Sequence, residues 1–368
     1  LKLQLQDLKL HQFKNYDSFQ STFHERLNLI TGLNGSGKTN ILDAIYYLAF
    51  CKSAYSATDL TNIQHGQGLM RLEGNFDIEE DKKNLVAKVV RSKRKEFILN
   101  DNPYDRLAEH IGLIPLVLIC PDDIQLVKGH SDERRKLLDS HIAQFDQDYL
   151  MHLLKYNKSL KQRNALLKTW AKKGVSDSSL IKGYDEVLIQ SGQVIHEKRK
   201  DFVKKLMEDF SKSYQQLANK DEHVSLTYKS ILEQSNMRDV IDENSNIDRM
   251  MQRTTQGIHR DDLTFEIHNH PLKKTGSQGQ QKSFMVALKL AMYYFLKRRK
   301  NRKPILLLDD IFDKLDGERM NQLLSIVSGD AFGQVFITDT HDTRLSSRLE
   351  KMEVGFQQIE ISAGKVVG

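Results

Sequence analysis

The stretch LNLITGLNGSGKTNILDAIYYL, Leu27 to Leu48, restricts what this chain can fold into more than any other. A short apolar run (Leu27, Leu29, Ile30) feeds a glycine-rich turn, Gly32-Leu33-Asn34-Gly35-Ser36-Gly37. Lys38, Thr39 and Asn40 then open a segment whose Ile41, Ile45, Leu48 and Ala49 recur at helical spacing. Strand, turn and helix in that order are the setting that the G-x-x-x-x-G-K-[ST] pattern requires. Glycines let the backbone wrap a polyphosphate without Cβ clashes, so that successive N–H groups form an anion nest. The helix adds the positive end of its dipole. Lys38 can reach the β- and γ-phosphates, and the Thr39 hydroxyl can ligate Mg²⁺. The expectation is a nucleoside triphosphate held with Mg²⁺.

Such a site needs a second half, and its candidates come late in the chain. Ile305-Leu306-Leu307-Leu308 is an apolar run ending in Asp309 and Asp310. A buried parallel strand that delivers acids at its C-terminal end is where an α/β fold puts ligand chemistry. Asp309 is expected to hold Mg²⁺ through water, and Asp310 to polarise the attacking water. Before this run, Thr275-Gly276-Ser277-Gln278-Gly279-Gln280 opens a segment expected to be helical to about Arg299. Ser277 and Gly279 at its N-terminus make a second anion site. One γ-phosphate does not need two such loops in one subunit. The redundancy argues for a dimer, each second loop closing over the nucleotide held by the other subunit.

Between the two halves the texture changes. Leu1, Leu3 and Leu5 alternate with polar residues, and strands are expected within 69–98 and at 114–119. From Ser131 to about Leu217 there is no proline, and apolar residues fall at helical intervals. One stripe is Ile142, Phe145, Tyr149, Leu153 and Leu160; another is Tyr184, Val187, Ile195, Phe202, Leu206 and Phe210. A polar break from Gly174 to Ser179 separates them, which predicts two long helices folded back on each other. Lys155, Lys158, Lys161, Arg163, Lys168, Lys172 and Lys173 fit the solvated face of the first. With the triphosphate loop early and its partners late, the expected organisation is a head made of residues 1–126 and 256–368. A helical lobe at 127–255 is inserted in it.

Composition narrows the partners only slightly. A net charge of +6 in 368 residues suits a polyanion weakly. Arg91, Lys93 and Arg94, between two expected strands, are the candidate DNA contacts, and a solvated hairpin tip is the plainer reading of the same cluster. The two cysteines, Cys51 and Cys120, stand at no metal-ligand spacing. No long uncharged apolar run and no signal-peptide pattern is visible, so a cytoplasmic protein without a membrane partner is expected.

The order and wording of these motifs (GLNGSGKT, SQGQQ, LLLDDIFDKLD, ITDTH) resemble the ABC-type ATPases of the SMC class. Within that class the chain resembles the RecF-like recombination mediators, through FKNY near the start, PDDIQLVKG from Pro121 to Gly129 and GIHRDDL from Gly257 to Leu263. The resemblance implies an α/β fold, an ABC-type (SMC/RecF-like) P-loop ATPase head with an inserted, mainly helical lobe. It places Ser277, Gln278, Gly279 and Gln280 in the signature loop and Asp316 in the loop that communicates across the dimer. Asp310 stands where many such proteins have glutamate. His341 fits a switch histidine beside the γ-phosphate, or equally a solvated turn residue before a helix. Lys14 takes the place of an arginine that touches nucleotide, Ile258 that of a proline, and Lys314 that of a glutamate. Gln64 and Gln67 are candidates for the glutamine-loop residue.

By the same resemblance the cofactors are ATP and Mg²⁺. The implied activity is ATP-dependent DNA binding in recombinational repair and replication restart, with weak DNA-dependent ATP hydrolysis. A homodimer would clamp duplex DNA near single-strand gaps, alongside recombination-mediator proteins and the recombinase. An ATPase switch of another SMC-like complex, or a transporter ATPase subunit, would share many of the motifs.

Overall fold

The leucine alternation at the start of the chain forms β1 (Leu3–Phe13), which continues through Leu8, Leu10 and Phe13, all buried. The structure, a computed structural model, describes residues 2–173, 178–218, 222–312 and 316–367. They divide into two units: Leu1–Asp123, Gln216–Asn219 and Lys282–Gly368 in the first, Ile124–Gln215 and Lys220–Gln281 in the second.

After β1 the first unit continues through β2 (Tyr16–Thr22), β3 (Leu27–Thr31) and α1 (Lys38–Phe50). β4 (Leu69–Ile78), β5 (Asp81–Val90), β6 (Glu96–Leu99), β7 (Asn102–Pro103) and β8 (Leu116–Ile119) follow. The second unit holds the helices Ser131–Ile142, Gln147–Lys173 and Ser178–Ala218, then β9 (Val224–Lys229), β10 (Asp262–Ile267) and β11 (His270–Pro271). The chain ends with helix Gln278–Lys300, β12 (Ile305–Leu308), helix Gly317–Ser328, β13 (Val335–Asp339), helix Ser346–Lys351, β14 (Phe356–Ser362) and β15 (Lys365–Val366).

Two six-stranded sheets build the first unit, an antiparallel one in the order β2-β1-β4-β5-β6-β7 and a mainly parallel one in the order β15-β14-β3-β13-β12-β8. α1 packs on β4 and β5 of one and on β8 and β13 of the other. Its Ile41, Leu42, Ala44, Ile45, Tyr47 and Leu48 are all buried, as a helix enclosed on both faces requires. The parallel neighbours β3, β13 and β12 are short and fully buried, so their C-terminal ends open side by side. This order places the residues after Thr31, after Asp339 and after Leu308 together.

In the second unit the two long helices run antiparallel. His152 Nδ1 lies 3.2 Å from Ser191 Oγ, Ser159 Oγ donates to Tyr184 O at 3.1 Å, and Arg163 Nε donates to Asp185 Oδ1 at 2.6 Å. Numbering falls on one helix as it rises on the other. Ile142, Tyr149, Leu153, Ile195, Phe202, Leu206 and Phe210 are buried as expected; Phe145, Leu160, Tyr184 and Val187 are only half-buried, and Leu188 fills the core beside the last two. Residues 174–177 of the expected break, and Lys314, lie outside the described residues.

Two expectations change here. Arg163 is not on the solvated face: it is 1% exposed, and its Nη1 donates to Asp248 Oδ2 at 2.6 Å and to Thr254 Oγ1 at 2.9 Å. A planar fork can bridge two carboxylates and a hydroxyl in this way, where the neighbouring lysines remain exposed. The second head segment also begins at Lys282 and not at 256. β10 pairs with β9 and β11, and GIHRDDL is tied into the lobe. Arg199 donates to Asp261 Oδ2 (3.1 Å), Ile258 O (2.9 Å) and Asp139 Oδ1 (2.7 Å). Arg134 grips both oxygens of Asp262 at 2.7 and 3.0 Å. His259, whose pKa burial pushes down to about 4, sits 2.9 Å from the Tyr156 hydroxyl. Among the described residues no helix is long and apolar enough to cross a membrane.

Candidate functional site

The turn after β3 is held in a conformation that its glycines permit. Gly32, Gly35 and Gly37 have φ of 145, 81 and 116°. A Cβ on Gly32 would lie 2.2 Å from Ile361 O, and one on Gly37 would lie 2.6 Å from both Asn15 Nδ2 and Tyr16 Oη. The FKNY stretch therefore braces the loop from behind. Asn15 Nδ2 donates to Ser36 O at 3.1 Å, Tyr16 Oη donates to Gly37 O at 3.0 Å, and Asn40 Nδ2 donates to Asn15 Oδ1 at 2.7 Å. Gly364 N–H adds a second donor to Ser36 O at 3.0 Å. Lys38, 3% exposed, donates from Nζ to the loop's own Gly32 O (2.7 Å) and Leu33 O (3.1 Å). A cleft of about 400 Å³ opens beside residues 32–36, lined also by Thr340, Asp342 and residues 360–363.

At the end of β12, Asp309 reaches the start of α1. Thr39 Oγ1 donates to Asp309 Oδ1 at 2.9 Å, joining residues 270 apart in sequence. The Thr338 hydroxyl lies 2.9 Å from the same oxygen and 3.2 Å from Asp310 Oδ1, and it accepts from Asp310 N–H at 2.8 Å. Tyr55 Oη donates to the other oxygen, Asp309 Oδ2, at 2.7 Å. Burial, with Asp309 beside it, raises the Tyr55 pKa well above the ordinary range, so the phenol is the donor. A hydroxyl beside a carboxylate at the mouth of a phosphate-type loop is a hard oxygen donor pair, which suits Mg²⁺. Asp310 has φ 44°, a left-handed backbone uncommon for a non-glycine residue, at the position expected to handle the attacking water.

The other expected residues are placed as follows. His341 is exposed in the turn after β13, its N–H donating to Asp339 Oδ1 at 3.1 Å. Asp316 caps helix Gly317–Ser328, accepting from Arg319 N–H at 3.0 Å and from its Nη1 at 2.7 Å; the N–H bond leads in holding its carboxyl below the usual range. In the second unit, Ser277 and Gln280 form a reciprocal capping box: Ser277 N–H donates to Gln280 Oε1 (2.8 Å) and Gln280 N–H to Ser277 Oγ (3.2 Å). Gln278 is exposed and Gly279 partly buried beside them.

Lys14, expected on nucleotide, has its Nζ 2.6 Å from Oδ2 of Asp43, a buried carboxylate of α1. Arg91, Lys93 and Arg94 are exposed at the β5–β6 turn, where Arg91 Nε donates to Gln67 O (2.9 Å) and Arg94 Nη2 to Asp105 O (3.1 Å). Lys95 of the same cluster is tied to Asp59 at 2.9 Å. Gln67 Oε1 accepts from Gln12 at 3.0 Å, and the Gln64 Oε1 atom is buried. Burial pushes the thiols of Cys51 and Cys120 up to about 12, so neither is a ready nucleophile.

The chain matches the family described as "RecF/RecN/SMC N terminal domain" over residues 4–362. Together with the loop after β3 and the carboxylate pair after β12, on either side of β13, this defines an ABC-type ATPase head of the SMC class carrying a helical lobe. Smc heads share the fold: one from Pyrococcus furiosus superposes with a TM-score of 0.57 at 19% identity, over 99% of this chain and 96% of that one. A solved structure of the recombination mediator protein RecF with ATP, of the RecFOR pathway, superposes with a TM-score of 0.89 at 27% identity, over 100% and 97% of the two chains. The DNA replication and repair protein RecF of Flavobacterium johnsoniae is 42% identical, covering 93% of this chain and 95% of its own. That of Bacteroides fragilis strain NCTC 9343 is 39% identical over 98% and 97%. The chain belongs to the RecF family.

Proposed function

We propose that this chain is an ATP-dependent DNA-binding protein of recombinational repair and replication restart. In this reading two subunits, joined by ATP, clamp duplex DNA near a single-strand gap and assist loading of the recombinase. The observation that carries it is the Thr39–Asp309 hydrogen bond at 2.9 Å, which assembles the two halves of an ATP–Mg²⁺ site from opposite ends of the sequence. The family relatives named for DNA replication and repair, and the RecF solved with ATP, supply the biological setting.

The residues divide the work. The loop amides of 32–39 and Lys38 neutralise the phosphates. Thr39 and Asp309 hold Mg²⁺, which when bound spreads the charge that builds on the transferred phosphoryl group. Asp310 accepts the proton of the attacking water, its backbone N–H held by the Thr338 hydroxyl at 2.8 Å. His341, in the turn after β13, takes the switch position. The exposed Ser277 and Gln278, at a helix N-terminus, meet the γ-phosphate held by the other subunit, and Asp316 lies at that seam. Slow hydrolysis then releases the DNA, with mediator proteins and the recombinase as further partners in a cytoplasmic setting.

Light scattering with and without ATP, Mg²⁺ and duplex DNA tests the reading in one measurement. A monomer that doubles in mass with ATP and Mg²⁺ and then retains DNA is the expected result. A chain that stays monomeric in saturating ATP would sink it.

A further inference from the structure

Asp309 has a partner that neither the loop nor the parallel strands supply. Tyr55 Oη occupies Oδ2 at 2.7 Å while Thr39 and Thr338 share Oδ1. Tyr55 lies in the irregular segment after α1, and what pins that segment is a buried carboxylate on α1 itself. Asp43, 0% exposed, accepts from Ala54 N–H at 2.7 Å through Oδ1 and from Ser53 Oγ at 2.6 Å through Oδ2. Ser53 Oγ in turn accepts from the N–H groups of Tyr55 (3.1 Å) and Ser56 (2.9 Å). The Lys14 ammonium both balances Asp43 at 2.6 Å and stands 5.6 Å from the centroid of the Tyr55 ring. Tyr55 as a whole is 36% exposed, but its hydroxyl end is the buried part, set against Asp309 Oδ2.

We propose that Tyr55 is a positioning residue for Asp309, fixing the rotation of its carboxylate so that Oδ1 stays with Thr39 and the pair is preset for Mg²⁺. The terminal torsion of an aspartate is broad and soft, and a carboxylate held by one oxygen alone samples a wide arc. With Tyr55 on Oδ2 and two threonines on Oδ1, both oxygens are tied before any ion arrives. Outer partners of ligating groups act in this way generally, and losing one typically lowers metal affinity 10–100-fold. The anchor is built into the phosphate-loop helix: Asp43 follows Thr39 by one helical turn, so α1 carries both the metal hydroxyl and the carboxylate that stations Tyr55.

The inference rests on Asp309 being the metal carboxylate, and the experiment separates the two. Tyr55→Phe in the full chain keeps the ring and removes only the hydroxyl. ATP binding is measured by calorimetry in EDTA, then Mg²⁺ is titrated into the protein–ATP complex, with thermal unfolding alongside. The expected result is an apparent Mg²⁺ affinity lowered about tenfold, with ATP affinity in EDTA and the unfolding midpoint unchanged. Hydrolysis should fall at limiting Mg²⁺ and recover when Mg²⁺ is saturating. Ser53→Ala, which loosens the anchor without touching the phenol, should shift Mg²⁺ affinity in the same direction by a smaller factor. A Tyr55→Phe protein with wild-type Mg²⁺ affinity overturns the proposal. So does an equal loss of ATP affinity in EDTA, which would make Tyr55 a general brace of the loop. A wild-type protein whose ATP complex takes up no Mg²⁺ overturns the reading of Asp309 itself.

Discussion

Lys14→Met discriminates between two roles for a residue that the sequence puts next to the nucleotide. In the structure its ammonium is 2.6 Å from Asp43 Oδ2, with the lysine side chain 14% exposed and the aspartate side chain 0% exposed. Removing one partner of a fully buried ion pair costs about 3–5 kcal/mol, because the other charge is stranded. Here Asp43 keeps two donors, Ser53 Oγ and Ala54 N–H, and the lysine is partly open to water. Both considerations reduce the loss, to about 2–3 kcal/mol. Asp43→Asn in the same chain removes the stranded charge. The double mutant should therefore be more stable than the sum of the singles predicts, by at least about 1 kcal/mol. Urea unfolding followed by far-ultraviolet circular dichroism is the assay, because the single tryptophan, Trp170, lies on helix Gln147–Lys173 of the second unit and does not report on the first. A Lys14→Met protein within about 0.5 kcal/mol of wild type, but with weakened ATP binding, would refute this reasoning and return Lys14 to the phosphates.

Asp310→Asn should slow ATP turnover by roughly two to four powers of ten while keeping ATP-dependent dimers, because it removes the proton acceptor but preserves shape; unchanged turnover removes Asp310 from catalysis. Ser277→Arg should leave nucleotide affinity nearly intact and abolish dimerisation in ATP, as read by light scattering, since a bulky cation would fill the place of a γ-phosphate brought by the partner. Neutralising Arg91, Lys93 and Arg94 together should weaken DNA binding equally for all sequences and lower the salt-dependence slope by about one unit per lost phosphate contact. A triple mutant matching wild type in both affinity and slope would move the DNA elsewhere, with the exposed lobe lysines next in line.

What the sequence revealed, and what it did not, follows from how local each feature is. The phosphate loop is contiguous, so residue type and spacing carried strand, turn and helix together. Asp309 was legible because an apolar run announces a buried strand whose end is a fixed place in an α/β fold. Tyr55 was not: its partner is 254 residues away, and a lone tyrosine after a helix has no spacing to read. Arg163 looked like one more basic residue on a solvated face, since its acid partner Asp248 lies 85 residues on. The boundary expected at 256 and the division at Lys282 differ for a related reason. β10 alternates as a head strand would, but alternation names a face and not a partner, and its partner β9 belongs to the lobe.

The brace behind the phosphate loop accounts for why FKNY stands so near the start of the chain. In a planar trans peptide the C=O of one residue and the N–H of the next point in opposite directions. Ser36 O is taken by Asn15 Nδ2 and Gly364 N–H, and Gly37 O is taken by Tyr16 Oη together with the N–H groups of Asn40 and Ile41 in the first turn of α1. Pinning these two carbonyls outward turns the N–H groups of Gly37 and Lys38 inward, toward the space a phosphate needs. The β1–β2 turn, the β14–β15 turn and the first turn of α1 together hold these two peptides before any ligand arrives, and preorganised donors of this kind need no reorganisation when charge develops. Gly37 is the other half of the same device, since a side chain there would occupy the space of Asn15 and Tyr16. Lys14, between Phe13 and Asn15 in that turn, is brought close to the site by the same geometry. Its charge is committed one layer further in, to the carboxylate that stations Tyr55 against Asp309.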